Sequence, residues 1–328
     1  MASALSRRAR MARAERAWRV AVVGANADLG RLLLPRLAAD PRVESVLALD
    51  AAMPRDVPKV QFRRVDLTRY DSDGDLKDAL SERPVDALYH LGLDFSRTRI
   101  SSHAHELEVA GTMRVLGAVA HARVPRVVVG SLTVLYGARS DHPALLGEDA
   151  PLHGCPPSRF VGDKVQVEEQ VAAFRERSPE TVTVVLRFAP IMGPSVDNPA
   201  TRLLRRRLVP TVMGRDPLWQ AVHEQDAGRA LHLALDAARS GTFNVAGEGV
   251  LPFSAMVRGA GALPLPIPFA LLHSTLRFLN TSGTWPVPAS LLSYLQYSWV
   301  ADGRRAREEL GFTPHHHARE AVAALREG

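Results

Sequence analysis

The stretch "VAVVGANADLG" (residues 20–30) joins an apolar β-branched run to a helical pattern through a glycine-containing loop. Gly24 permits a tight turn and Gly30 permits helix and strand to approach closely, with Ala27 between them where a third glycine is common. The start of the helix offers free N–H groups and the positive end of its dipole to a pyrophosphate. The candidate phosphate-binding residues are Gly24, Ala27, Asp28, Leu29 and Gly30.

An acidic residue follows this loop at an informative distance. Asp50 ends the second predicted strand, 20 residues after Gly30. A carboxylate there can accept hydrogen bonds from both hydroxyls of a ribose and would repel a 2′-phosphate, which favours NAD over NADP. The alternative is that Asp50 caps an ordinary turn.

Short β-branched runs alternate with helical patterns over the first 190 residues. Strands are predicted at 18–25, 43–50, 59–67, 85–92, 125–132 and 181–189, with helical spacing between them. This alternation predicts an α/β fold, a Rossmann-type doubly wound parallel sheet. We expect a dinucleotide-binding domain over 20–190 and a smaller C-terminal lobe over 191–328, from which 218–249 returns to the main body.

Charge and cysteine content exclude several classes of protein. The net charge is +6, but six arginines and one glutamate lie in residues 1–19, so the rest is nearly neutral and a nucleic-acid surface is not expected. We interpret this tail as a disordered extension, although its composition also suits a transit peptide. The single cysteine, Cys155, is consistent with a reducing, cytoplasmic location. Pro264, Pro266 and Pro268 interrupt the most apolar stretch, so no membrane span is predicted.

The order of motifs resembles the extended short-chain dehydrogenase/reductase family of NAD-dependent sugar epimerases and dehydratases. The matching segments are "GANADLG" (24–30), Asp66-Leu67, "HLG" (90–92), "EVAGT" (108–112), "VVVGSLTVLYG" (127–137), Lys164, "LRFAPIMGP" (186–194), "AVHEQDAGRAL" (221–231), "FNVAGEG" (243–249) and "DGRRAREELGFTP" (302–314). The resemblance implies that Asp66 and Leu67 contact the adenine and that Leu91 and Gly92 lie over the cofactor. It also implies that Lys164 contacts the nicotinamide ribose.

The resemblance fails at the catalytic positions. Family members use a Tyr that exchanges a proton with the substrate, a Lys four residues later, and a Ser or Thr that orients the substrate oxygen. Here Phe160 stands at the Tyr position, Leu132 at the Ser/Thr position and Glu108 at a family Asn, and Lys164 alone is kept. The family's acid–base reaction therefore cannot run unchanged.

Three functional hypotheses remain open. The chain is either an NAD-binding sensor, scaffold or weak enzyme, or an active enzyme whose acid has moved to Tyr136 or His153. In a third hypothesis the segment "LPLPIPFALL" (263–272) contacts an apolar ligand or a membrane. The alternative, which we prefer, is that this segment packs in the core of the lobe. The substrate would be a nucleotide sugar or a hydrophobic alcohol or ketone.

Two further expectations concern assembly and metals. Family members often dimerise through two long helices, here about 104–122 and 161–177, where Val165, Val167, Val171 and Phe174 permit a homodimer. No metal site is expected, because the histidines at 315–317 lack a carboxylate or cysteine at ligand spacing.

Overall fold

The structure is a computed structural model that describes residues 17–55, 57–92, 105–154, 159–281 and 289–327. The basic tail before residue 17 and Cys155 lie outside these residues, as do the side chains at 159–160, 276–281 and 289–290. The side chain of Phe160 is therefore not described, although its backbone lies in a helix.

A parallel sheet of seven strands forms the centre of the described molecule, which confirms the predicted fold class. The spatial order is β3-β2-β1-β4-β5-β6-β11, and every pair is parallel. The strands are β1 (Trp18–Val23), β2 (Val43–Asp50), β3 (Val60–Arg64), β4 (Ala87–His90), β5 (Arg126–Leu132), β6 (Val182–Phe188) and β11 (Gly241–Val245). The predicted six strands all lie in this sheet.

Helices cover both faces of the sheet because side chains alternate along each strand. In β1, Val20 and Val22 face one apolar cluster, while Ala21 and Val23 face another. The helices on the two faces are α1 (Asp28–Ala39), α2 (Ser72–Glu82), α3 (Gly111–His121), α4 (Arg159–Arg177) and α6 (Glu224–Ala234). The first cluster packs against α1 and α6, and the second packs against α2, α3 and α4. A π-helical turn (Glu106–Ala110) leads into α3.

The C-terminal part of the chain builds a separate apolar cluster beside the sheet. Its strands pair two by two: β7 (Ile191–Met192) with β10 (Val222–His223), β9 (Leu218–Trp219) with β12 (Leu251–Pro252), and β8 (Leu208–Val212) with β13 (Leu263–Ile267). The remaining helices are α5 (Pro199–Leu204), α7 (Phe253–Gly259), α8 (Phe269–Thr281), α9 (Arg304–Leu310) and α10 (Ala318–Ala323). Between these elements, β11 returns to the main sheet beside β6. Three 3₁₀-helical turns are Thr133–Tyr136, Ala289–Leu295 and Ala324–Arg326.

The segment 263–272 forms β13 and the start of α8, and much of it is not packed in the lobe. Leu263, Leu265, Phe269 and Leu271 are all exposed, whereas Leu272 is buried. The preferred interpretation of a packed core is therefore wrong for these four side chains.

The helix positions named for a homodimer face inward instead. Val167, Val171 and Phe174 of α4 are buried within the monomer, and Val165 packs against the lobe cluster. They cannot supply an interface without unfolding the core, so that part of the expectation is wrong. The homodimer itself stays a prediction. None of the described helices is long and apolar enough to cross a bilayer.

Candidate functional site

The glycine loop after β1 is held in a conformation that requires glycine. Gly24 has φ +81°, and a Cβ there would overlap the backbone of Leu91 and Gly92 after β4. At Gly30 a Cβ would overlap the carbonyl oxygen of Gly24, so this residue lets α1 approach the loop. The structure thus brings together the loop and the "HLG" segment, which are 60 or more residues apart in sequence.

Ala27 fits the loop without backbone strain. It is the N-cap of α1, with φ −63° and ψ 157°, a conformation that any L-residue adopts. Within the described residues no side chain caps this helix end, which leaves its first N–H groups for an anion. Asp28 lies in the same turn, and its carboxylate forms an ion pair with Arg31. That pairing offsets the repulsion that Asp28 would exert on a phosphate.

Asp50 is fixed beside the loop at the end of β2. Its carboxylate accepts a hydrogen bond from the backbone N–H of Asn26 at 2.9 Å, and the Asn26 side chain donates to the carbonyl of Ala52 at 2.7 Å. The Asp50 side chain is half-buried and ties the strand end to the glycine loop. It serves as a turn partner here, and its role towards a ribose stays a prediction.

The residues after β3 and β4 complete one edge of the sheet. Asp66 accepts hydrogen bonds from the backbone N–H and the hydroxyl of Thr68, at 3.0 and 2.7 Å. Leu67 is buried, and its carbonyl accepts from Arg114 at 2.6 Å. Leu91 is buried and Gly92 is half-buried. Because adjacent parallel strands end at the same edge, all these candidate cofactor residues share one border of the sheet.

Lys164 lies in α4 and is paired with a buried acid. Its Nζ donates to Oε1 of Glu108 at 2.6 Å, and the two side chains are only 2% and 4% exposed. Glu108 sits on the π-helical turn before α3. The sequence interpretation counted Glu108 as a loss and missed the pairing. The signal that could have indicated the pair was the presence of an acid, Glu108, and a base, Lys164, among the residues compared with the family's catalytic positions.

Tyr136 is a structural hydroxyl in this geometry. It is fully buried, donates to Oδ1 of Asn244 and accepts from Arg187, both at 2.8 Å. Burial raises the pKa of the phenol, against the lowering effect of Arg187. Arg187 also forms an ion pair with Glu168, which accepts from Ser131. The Tyr136 hydroxyl is therefore part of a buried network under the sheet edge.

His153 is exposed and stacks on His142, with ring centroids 5.9 Å apart. The three candidate catalytic residues thus contact three different sets of partners. Lys164 contacts Glu108, Tyr136 contacts Arg187 and Asn244, and His153 contacts His142. The structure does not join them into one acid–base constellation.

A cavity of about 110 Å³ opens where the sheet meets the C-terminal lobe. Leu132, the residue at the Ser/Thr position, forms part of its wall, and Asp28 of the glycine loop lies at its border. The other lining residues are Val134, Phe188, Pro190, Ile191, Val196, Asn198, Pro199, Ala200, Leu203, Trp219, Leu291, Tyr294, Leu295 and Trp299. Leu132, Asp28 and four other lining residues (Val134, Phe188, Pro190 and Ile191) lie in the sequence motifs, and the rest come from segments with no shared pattern.

Comparison with known proteins gives a family match. Residues 20–246 match the family model described as the NAD dependent epimerase/dehydratase family. The uncharacterised protein Rv0501 of Mycobacterium tuberculosis is 32% identical over 299 residues, which cover 90% of this chain and 80% of that protein. The match spans both the sheet and most of the lobe.

Solved structures share the fold at lower identity. MoeE5 in complex with UDP-glucuronic acid and NAD has a TM-score of 0.72 and 24% identity, covering 94% of this chain and 97% of that one. WbmG of Bordetella bronchiseptica with NAD has a TM-score of 0.72 and 18% identity, over 95% and 94% of the two chains. The UDP-glucose 4-epimerase of Thermus thermophilus with NAD has a TM-score of 0.70 and 19% identity, over 94% and 99%.

Proposed function

The chain belongs to the NAD-dependent epimerase/dehydratase family, and from this premise we propose that it binds NAD while its active site departs from the family's acid–base chemistry. Its role is that of an NAD-dependent sensor or scaffold, with at most weak or non-standard oxidoreductase or isomerase activity. The single cysteine favours a cytoplasmic location for it.

The residues present fit the cofactor. Gly24 and Gly30 have no room for a side chain, and the uncapped start of α1 offers N–H groups to the pyrophosphate. Asp50 would accept from the ribose of the adenosine half, and Asp66 with Leu67 would border the adenine. Leu91 and Gly92 would lie along the dinucleotide. When bound, NAD supplies an acceptor or donor of hydride.

One observation carries the proposal of an altered active site, namely the buried ion pair of Lys164 with Glu108. In the family this Lys supports a tyrosine phenol and the ribose, but here it is held by a carboxylate 2.6 Å away. Leu132 gives the cavity an alkyl group where the family has a hydroxyl. By sequence position, Phe160 has no proton to exchange. Loss of positioned acid–base help typically slows a reaction by ~10² to 10⁴-fold.

The first test is calorimetric titration of NAD⁺, NADH and NADP⁺ into the full chain. We expect NAD⁺ or NADH to bind more tightly than NADP⁺, and Asp50→Ala to abolish binding. Asp71→Ala is the matched control, because Asp71 is an exposed acid paired with Arg69 outside the glycine loop. Equal binding by wild type and Asp50→Ala would overturn the cofactor assignment.

The second test measures turnover of UDP-glucose by the NAD-loaded chain. We expect turnover to be slow or undetectable. Rapid turnover of UDP-glucose would show that the family reaction is intact and would overturn the altered-site proposal.

A further inference from the structure

The cavity beside Leu132 has walls that suit a different ligand from a nucleotide sugar. We propose that it binds a small neutral alcohol or ketone with a hydrocarbon body. This proposal depends on the proposed function in one respect only, namely that NAD binds at the adjacent glycine loop.

The position of the cavity is that of a substrate site. Leu132 ends β5 and Phe188 ends β6, so the cavity opens at the carboxyl edge of the sheet, where doubly wound folds bind their ligands. Asp28, in the first turn of α1, links the cavity to the glycine loop. A molecule in the cavity would therefore lie next to the cofactor-binding border.

Asn198 is a polar side chain of the wall whose amide is already committed to the protein. The Asn198 amide oxygen accepts from the N–H groups of Ala200 and Thr201, and its nitrogen donates to the carbonyl of Ile191 at 2.7 Å. These three contacts cap α5 and leave the amide little capacity for a ligand.

Two of the three aromatic polar groups in the described wall are similarly engaged. The Tyr294 hydroxyl donates to the carbonyl of Val134 at 2.6 Å, and the Trp219 indole donates to the carbonyl of Tyr294 at 2.8 Å. The indole nitrogen of Trp299 is buried and has no hydrogen-bond partner among the residues described. The aromatic wall thus offers at most one side-chain donor to a ligand.

A nucleotide sugar does not suit this wall. Each of its hydroxyls would lose water on entry, and few of them would find a partner among the described lining residues, which disfavours binding. A hydrocarbon body has no such requirement and gains from leaving water.

The cavity is partly open, so its volume limits only the part of a ligand that it encloses. Its volume of about 110 Å³ is on the scale of apolar cavities, ~150 Å³, that take up a benzene ring. One aromatic ring or a short alkyl chain therefore fits, with an oxygen directed to the border beside the loop. Acetophenone and benzyl alcohol are suitable probes.

The test is ligand-observed saturation-transfer NMR of acetophenone, benzyl alcohol and UDP-glucose with the full chain, with and without NAD⁺. We expect the two aromatic probes to bind with a dissociation constant of roughly 1 mM or below and UDP-glucose not to bind. Ala200→Phe and Leu203→Phe each fill the cavity and should weaken aromatic binding by about tenfold or more. Leu208→Phe, an exposed leucine of the same lobe outside the cavity, is the matched control.

Three outcomes would overturn the proposal. The first is no binding of either aromatic probe to wild type, and the second is probe binding that both filling variants leave intact. The third is UDP-glucose binding that the filling variants remove. Thermal unfolding of each variant shows whether it is folded. If Leu203→Phe does not fold, Ala200→Phe still provides the test, because position 200 is only half-buried. NAD⁺ binding is measured separately by calorimetry. If the wild-type chain binds the aromatic probes but not NAD⁺, the result contradicts the proposed function and leaves the cavity proposal standing.

Discussion

Lys164 and Glu108 form an ion pair of 2.6 Å between α4 and the turn before α3, with both side chains almost completely shielded from water. Removing two charges from water is costly, and their attraction compensates only when the contact is close. Glu108 therefore explains how the charge of Lys164 is accommodated inside the protein. The pair joins the turn before α3 to α4.

Removing one member of this pair should destabilise the fold. Lys164→Met leaves Glu108 buried without its partner, and the reported cost of such a change is about 3–5 kcal/mol. Glu108→Gln keeps the shape and should cost a similar amount by leaving the Lys164 charge uncompensated. Urea unfolding of both single variants and of the double variant measures the coupling. The double variant should lose less free energy of unfolding than the two single variants lose together. Losses that simply add would contradict the pairing.

Tyr136→Phe should lower stability without altering NAD binding. The change removes the hydroxyl between Arg187 and Asn244 and leaves buried partners unsatisfied, at about 1–3 kcal/mol. Tyr70→Phe, at an exposed tyrosine, should change unfolding by a few tenths of a kcal/mol at most. Chemical denaturation and NAD titration of both variants provide the measurement. A stable Tyr136→Phe that loses turnover would instead support Tyr136 as a relocated acid.

Stability should fall below neutral pH through His90. This residue is completely buried and bonded to Thr112 at 2.8 Å, and burial lowers its pKa from 6.5 to about 4. The unfolded chain binds the proton more readily than the folded one, so this contribution to stability is intact above pH 6.5 and is lost as the pH falls towards 4.

The expected size of that effect is roughly 3 kcal/mol. The measurement is the unfolding free energy of wild type and His90→Gln at pH 7 and pH 4, with His121→Gln, an exposed histidine, as control. The gap between wild type and His90→Gln should shrink by that amount on acidification. A gap that stays constant would show that His90 does not titrate in this range.

Gly24 should tolerate no side chain. Gly24→Ala places a methyl group against the backbone of Gly92 at a positive φ, so we expect loss of NAD binding and a markedly lower melting temperature. Gly74→Ala is the matched control, because that glycine lies in α2 with open space around it and should gain slightly in stability. Ala27→Gly should leave NAD affinity nearly unchanged, since Ala27 already has an unstrained backbone. If Gly24→Ala still binds NAD as tightly as wild type, the close contact between Gly24 and the backbone of Gly92 is contradicted.

The sequence by itself determined the sheet and its glycine loop. The apolar runs of β1, β4, β5 and β6 are buried on both faces, so the local pattern carries the parallel-sheet signal. Gly24 and Gly30 mark a turn whose geometry depends on a few adjacent residues, and Asp50 follows at the spacing that a βαβ unit imposes. These features depend on neighbours in the chain, which is why they could be predicted.

The tertiary structure decided the contacts between distant residues. Lys164 and Glu108 are 56 residues apart, and Tyr136 and Asn244 are 108 apart, so no local periodicity links either pair. The apolar cavity likewise joins Leu132 to Trp299 through the packing of the lobe on the sheet edge. Which side chains meet there depends on how helices and loops from separate segments pack together, and packing is set by the whole core rather than by any one stretch.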